Sequence, residues 1–170
     1  MLFRIIIIHF YILSSCTNNM KDINMVFSDQ TIQNKAENVE INYFFDGMLD
    51  FTLQASNMES TDLETKFYNG FKLIIYDKTL RELAVISSDS ALDQKDKEVV
   101  KVSNNVILTN SENEQLNTDS LIWNKHNKKI YTDGFVTISK KNQVIMGYGF
   151  SSDENFTNYS LRNITGTINL

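Results

Sequence analysis

Asn104-Asn105-Val106-Ile107-Leu108-Thr109 and, about thirty residues on, Gly134-Phe135-Val136-Thr137-Ile138-Ser139 repeat one pattern: punctuation, then alternation. Side chains of a strand point to opposite faces with period two, so Val106 and Leu108 share one face, and Val136 and Ile138 share the matching one. A second match stands upstream in the same register, Ser88-Asp89-Ser90-Ala91 against Thr118-Asp119-Ser120-Leu121. Looser copies run from Met146-Gly147-Tyr148-Gly149-Phe150 to Thr165-Gly166-Thr167-Ile168, and from Leu53-Gln54-Ala55-Ser56 to Asn69-Gly70-Phe71-Lys72-Leu73. A period near thirty with two strands per unit means that each hairpin needs its neighbours to bury its apolar face.

Period two also governs the rest of the body. Val39-Glu40-Ile41-Asn42-Tyr43 alternates, Phe71 to Tyr76 is a β-branched and aromatic run, and Val99 to Val102, Leu121 to Trp123 and Val144 to Met146 are similar. The pairs Asp46-Gly47, Asn69-Gly70, Asn104-Asn105, Asp133-Gly134 and Thr165-Gly166 read as turns between strands, since Asn, Asp and Gly reach positive φ at low cost. Asn57 to Phe67 is the one helical candidate of any length, and its periodicity is poor. Short strands at regular spacing predict an all-β sandwich or open barrel.

Composition narrows the partners. The chain has 170 residues, 42% of them hydrophobic, which is the size of one domain with a short appendage. Its formal net charge of −5 gives no electrostatic footprint for phosphate backbones, so no nucleic acid is expected. With no proline and six glycines, collagen-like and Gly-linker architectures are excluded. One cysteine allows neither an internal disulfide nor a Cys-based zinc site.

That cysteine lies at the front. Arg4 is a short positive region, Ile5 to Leu13 is an apolar core, and Leu13-Ser14-Ser15-Cys16 supplies the small residues that precede a signal-peptidase cut. The apolar run is far shorter than the roughly 20 residues that span a bilayer. Leu-Ser-Ser-Cys also resembles the bacterial lipobox, in which the cysteine is acylated and becomes the mature N-terminus. The alternatives are a plain secretory signal with an incidental cysteine, or an uncleaved short anchor. Residues 1–15 are thus expected to be a lipoprotein signal peptide, 16–38 a membrane tether with lipidation at Cys16, and 39–170 the folded domain.

Residues with catalytic potential are scarce. His126 is the one histidine beyond the signal, in a hairpin tip, and the usual triads and His-rich metal sites cannot be assembled from it. Gly147-Tyr148-Gly149 lacks the third glycine and the following helix of a dinucleotide fingerprint, and fits a bulge or a close backbone approach. Asp50 with Asp89 is an imaginable carboxylate pair, and Lys128-Lys129 and Lys140-Lys141 are imaginable phosphate contacts at a groove mouth. Solvated strand ends explain all of them more simply. No catalytic residue, no metal and no cofactor is expected. Trp123 fits a buried strand position or a partner anchor.

Several segments taken in order carry a resemblance. They are Phe67-Tyr68-Asn69-Gly70-Phe71-Lys72-Leu73-Ile74-Ile75-Tyr76-Asp77, Ser88-Asp89-Ser90-Ala91, Leu116-Asn117-Thr118-Asp119-Ser120-Leu121-Ile122-Trp123, Ile130-Tyr131-Thr132-Asp133-Gly134-Phe135-Val136-Thr137-Ile138 and Gly147-Tyr148-Gly149-Phe150. Following a lipobox and covering roughly residues 40–168, they resemble the LptC family, the periplasmic component of the lipopolysaccharide export ABC transporter, in a lipoprotein-like form. The resemblance implies a twisted open β-jellyroll, OstA-like, with an apolar groove. In that family the groove receives lipid A acyl chains from the inner-membrane ABC transporter and passes them to the next periplasmic jellyroll. It also implies a non-catalytic, membrane-anchored periplasmic protein, expected at the inner membrane, although many members carry a transmembrane helix where this chain has a lipobox. The N-terminal edge, roughly Ile41 to Leu53 and including Tyr43, would face the transporter permease subunits. The C-terminal edge, Tyr159 to Ile168 and including Leu161, would face the bridge jellyroll.

A two-layer sheet that does not quite close leaves an apolar slot. Its lining is expected from alternate residues of neighbouring strands: Leu73 and Ile75, Val106 and Leu108, Val136 and Ile138. The same six residues also fit a plain sandwich core. A structural or adhesive β-sandwich lipoprotein of the outer membrane is the alternative function. A carboxylate-dependent glycan hydrolase would need paired acids in a cleft, and nothing in the sequence specifies one.

Overall fold

The computed structural model describes residues 32–169. Nine antiparallel strands follow in chain order and form one sheet: β1 (Asn34–Phe45), β2 (Met48–Ser60), β3 (Glu64–Tyr76), β4 (Glu82–Gln94), β5 (Val99–Asn110), β6 (Gln115–Asn124), β7 (Lys129–Lys140), β8 (Gln143–Asp153) and β9 (Tyr159–Asn169). A single 3₁₀ turn, Lys95–Lys97, joins β4 to β5. The fold class read from the sequence holds: the chain is an open, twisted jellyroll built from successive hairpins, with β1 and β9 as its outer strands.

Most of the expected turns are not turns. Asp46-Gly47 does reverse the chain, with φ of 50° and 75°. By contrast Asn69-Gly70 lies inside β3, Asn104-Asn105 inside β5, Asp133-Gly134 inside β7 and Thr165-Gly166 inside β9. The strands are therefore about twice as long as the runs read from the sequence, and Val99–Val102 and Val106–Thr109 are two halves of β5. The ladder slips in mid-strand, at Tyr68/Phe71, Ser87/Ser90, Ser103/Val106, Thr118/Ile122 and Thr132/Phe135. Positive φ at Asn69 (61°), Gly70 (101°), Asn104 (66°) and Asn105 (52°) marks the same places. A bulge bends its strand, and bulges aligned across neighbouring strands crease the whole sheet. Asn and Gly here supply a corner in mid-strand instead of a reversal, because the low cost of positive φ serves both geometries.

The crease also explains the thirty-residue repeat. The Ser88 hydroxyl donates to the Ser90 carbonyl at 2.9 Å, and the Thr118 hydroxyl donates to the Ser120 carbonyl at 3.4 Å and to the Phe135 carbonyl at 2.8 Å. These hydroxyls satisfy carbonyls freed where the ladder slips, a need that recurs on every second strand.

Two further expectations are corrected. Asn57 to Phe67 is not helical: it is the end of β2, a turn in which the Thr61 hydroxyl accepts the Leu63 and Glu64 amides at 3.3 and 3.1 Å, and the start of β3. β1 opens at Asn34, ahead of Val39 where the domain was expected to begin, and Asn34 already pairs with Ser60. Asn34 to Asn38 is polar apart from Ala36, because an outer strand with little covered surface has no need of apolar alternation.

Each strand gives one half to each of two layers joined at the crease. One layer comprises 39–45, 48–55, 71–76, 82–88, 106–110, 115–118, 135–140, 143–148 and 163–169; the other comprises 34–37, 57–60, 64–68, 90–94, 99–103, 120–124, 129–132, 150–153 and 159–161. The layers face one another across the core. Phe51 of the first meets Trp123 of the second edge to face, with ring centroids 4.8 Å apart, although β2 and β6 share no ladder.

Candidate functional site

The six residues expected to line an apolar slot all fall on the inner face of the first layer, and none is more than 1% exposed. Strand register arranges them into a continuous stripe. Ile41, Leu53, Leu73, Ile86, Leu108, Leu116, Ile138 and Ile145 are direct cross-strand partners from β1 to β8. Ile75 belongs to the neighbouring row, opposite Phe51 and Ala84, while Val106 and Val136 flank Thr118 beside the crease. At about 4.8 Å between strands, the eight-residue row is about 34 Å long. No charge or hydrogen-bonding side chain interrupts it. The two layers close over it, so the structure shows a seam rather than an open groove.

The second layer's inner face differs in chemistry. Ser60, Thr65, Asp93, Thr132 and Ser152 are buried among Phe67, Ala91, Val100, Val102, Leu121, Trp123, Ile130 and Phe150. Each of these polar groups is bonded. Ser60 and Thr65 hydroxyls lie 2.9 Å apart, Lys95 Nζ donates to Ser60 at 3.1 Å, and Lys125 Nζ reaches Asp93 at 2.7 Å. The Thr132 hydroxyl accepts the Gly134 amide at 3.0 Å, and Ser152 donates to the Asn158 carbonyl at 3.2 Å. Trp123 is buried at this face with its indole N–H unpartnered.

The seam closes at the strand tips, away from the crease, where Lys128 and Lys140, imaginable in the sequence as phosphate contacts, are engaged in ion pairs with carboxylates of the chain itself. Lys128 Nζ lies 3.0 Å from Glu154 and 3.5 Å from Asp50, linking three hairpins. Burial opposes its charge, but these two carboxylates hold its pKa above the ordinary value. Lys140 pairs with Glu114 at 3.1 Å and sits over the Tyr159 ring at 4.8 Å. Asn110 Nδ2 donates to the Phe156 carbonyl at 3.0 Å, and the Phe156 ring is fully buried. An isolated aromatic in the polar stretch Asp153-Glu154-Asn155-Phe156-Thr157-Asn158 was the available signal. The imagined Asp50–Asp89 pair does not form: Asp50 is held by Lys128, while Asp89 accepts from Asn105 Nδ2 at 2.7 Å. His126 is exposed at its hairpin tip, 3.4 Å from Glu98.

The five edge residues lie on the two outer strands, Ile41 and Tyr43 on β1 and Tyr159, Leu161 and Ile168 on β9. Leu53, at the far end of the expected N-terminal edge, is inside the sheet on β2 and fully covered. Tyr43 stacks on Phe51 at 4.3 Å, and burial, helped by the charge of Asp93 across the seam, raises its phenol pKa. Phe44, Phe45 and Met48 project from the β1–β2 hairpin, and Ile164 and Ile168 from β9, all exposed. β8 and β9 approach closely: a Cβ on Gly147 would lie 2.4 Å from the Asn163 carbonyl oxygen.

The model of one protein family, described as lipopolysaccharide-assembly, LptC-related, matches residues 2–167, nearly the whole chain. The chain belongs to the LptC family. No curated protein matches it. Membership assigns the chain a role in lipopolysaccharide transport and implies lipopolysaccharide binding and association with the Lpt transporter on the periplasmic side of the inner membrane. The expected signal peptide, Cys16 and most of the tether lie outside the described residues. Among the described residues no helix is long and apolar enough to cross a membrane.

Proposed function

We propose that this LptC-family jellyroll takes lipid A acyl chains from the inner-membrane ABC transporter into the seam between its layers and passes them to the next periplasmic jellyroll. The observation that carries the reading is the uninterrupted aliphatic row from Ile41 to Ile145, which crosses the sheet from its first strand to its eighth. Acyl chains need apolar area, at about 25 cal/mol per Å², and no fixed polar pattern. The row, about 34 Å long by the strand spacing, exceeds the length of one leaflet's chains, about half of a 30 Å hydrocarbon core. Leu73, Ile75, Val106, Leu108, Val136 and Ile138 would contact the chains once the layers part.

The outer strands supply the docking surfaces. A free strand edge accepts another strand by backbone pairing, with side-chain pockets giving specificity. β1, through Ile41 and Tyr43, would join the transporter's permease subunits, and β9, through Tyr159, Leu161 and Ile168, the bridge jellyroll. Acylation at Cys16 would hold the domain at the membrane, several chains together giving stable anchoring where one does not.

Native mass spectrometry of the full-length protein extracted from membranes tests the reading. Lipopolysaccharide adducts on a folded monomer are the expected result. A folded, correctly localised protein that never carries lipid would overturn the conduit and leave a structural envelope lipoprotein.

A further inference from the structure

The loop that closes the seam is costly in two ways. Phe156 has φ of 53°, in the left-handed region that a bulky side chain seldom adopts. The side-chain carbonyl oxygen of neighbouring Asn155 is buried without a hydrogen-bond partner. The loop persists because other contacts hold it. The Asp153 carboxylate accepts from the Thr157 amide at 3.0 Å, the Thr157 hydroxyl at 3.1 Å and the Asn158 side chain at 2.9 Å. The Phe156 amide donates to the Asp153 carbonyl at 3.2 Å. The Phe156 ring packs 5.6 Å from Phe150 and 5.4 Å from Tyr159, both on the second layer. Its carbonyl is bonded to Asn110 at the tip of the first layer, so the loop reaches from one layer to the other.

Phe156 also belongs to the same contiguous apolar cluster as Leu73, Leu108 and Ile138. A loop, rather than a strand, thus contributes a fully buried ring at the point where the two layers meet. Strand residues cannot leave the core without breaking the ladder, whereas a five-residue connection can swing away and relieve both its left-handed phenylalanine and its orphaned carbonyl oxygen.

Building on the lipid-carrier reading above, we infer that the seat of Phe156 is an acyl-chain subsite at the mouth of the seam, which the protein fills with its own ring until a lipid chain displaces it. The ring keeps the seam dry and closed when empty. An entering saturated chain replaces apolar contact with apolar contact, and the strain released from the loop favours the exchange.

Hydrogen exchange on the full-length protein tests this, with purified lipopolysaccharide dispersed in nonionic detergent and detergent alone as control. Lipid binding in the same samples is read by native mass spectrometry. The expected result is at least tenfold faster exchange at the Phe156, Thr157 and Asn158 amides when lipid is bound. The Leu80 and Arg81 amides, held by Asp77 in a comparable turn, should not change. Bound lipid with undiminished protection at 156–158 would overturn the plug and leave the carrier reading standing; absence of bound lipid would overturn both. In addition, Phe156→Ala removes the competitor and should tighten lipopolysaccharide binding at least threefold. Unchanged or weaker binding by a variant with parental protection at Leu80 and Arg81 would contradict the proposal, and if the variant does not fold, the exchange experiment on the parent decides.

Discussion

The two layers of this jellyroll are made from the same strands, yet the central rows of their inner faces differ, the buried Ser88 and Asn110 of the first layer lying at its crease and its tip. Where β1 to β8 cross the first layer, the central row is wholly aliphatic, from Ile41 to Ile145. Where they cross the second, Ser60, Thr65, Asp93, Thr132 and Ser152 alternate with the apolar groups, each fixed by a directional bond. Dispersion and burial impose little orientation, so an aliphatic face adapts to whatever apolar surface covers it. Buried hydrogen bonds and ion pairs tolerate little displacement, because an unmade bond in a dry interior costs its full desolvation. The second layer is therefore the frame, and under the proposed function the aliphatic row of the first is the main face on which cargo would replace protein.

The sharpest way to break this comparison is at the Lys125–Asp93 ion pair, in which the carboxylate is buried and the lysine half-buried. Lys125→Met leaves Asp93 buried without its cation, at a cost of about 3 kcal/mol. Urea unfolding should show this loss, and the double variant Lys125→Met with Asp93→Asn should recover part of it. A loss under about 1 kcal/mol would mean that the frame does not depend on its polar contacts.

On the aliphatic face, size should matter and identity should not. Leu108→Ala removes a fully buried side chain and should cost about 2–3 kcal/mol, whereas Leu108→Met should cost less than about 1.5 kcal/mol and keep lipid binding. Equal losses from both variants would deny the adaptability assigned to this face. The matching change in the frame, Thr65→Val, preserves shape but removes the 2.9 Å bond to Ser60 and should cost about 1 kcal/mol in the same unfolding assay.

Acid should act on the tips and not on the seam, since the aliphatic row holds no titratable group. Burial works to raise the Asp153 pKa, but hydrogen bonds from Asn158 and Thr157 outweigh it and hold the carboxyl below its ordinary value. The folded loop therefore binds fewer protons than the unfolded chain in that range. Its stabilisation is complete above the ordinary aspartate value of about 3.9 and is lost as pH falls through the lower folded value. Asp77, held by the Thr79 hydroxyl and by Arg81, is likewise depressed at the β3–β4 turn. Exchange at the Thr157 and Arg81 amides should accelerate below about pH 4 beyond the intrinsic pH trend, with the Leu108 and Ile138 amides protected to lower pH.

Much of this architecture is legible in the sequence. Period-two runs such as Phe71 to Tyr76 and Val136 to Ile138 gave the strands, their faces and the stripe to which Leu73, Leu108 and Ile138 belong. The crease was not legible: Asn104-Asn105 announces positive φ, and only the strand continuing beyond it distinguishes a corner from a reversal. Nor does local pattern reveal which layer faces which, because the approach of Phe51 to Trp123 depends on how far the whole sheet coils. Phe156 escaped notice for a related reason. Its burial comes from a loop folding back across the mouth, and loops carry no periodicity to mark an inward residue.

The central claim is that lipid occupies the inner face of the aliphatic layer, and in-cell photo-crosslinking across 106–109 and 136–139 addresses it directly. The account predicts lipopolysaccharide adducts at Val106, Leu108, Val136 and Ile138, and none at the outward-facing Ile107 and Thr137. Adducts at both phases alike, or at none of these positions in a folded and correctly localised protein, would contradict it.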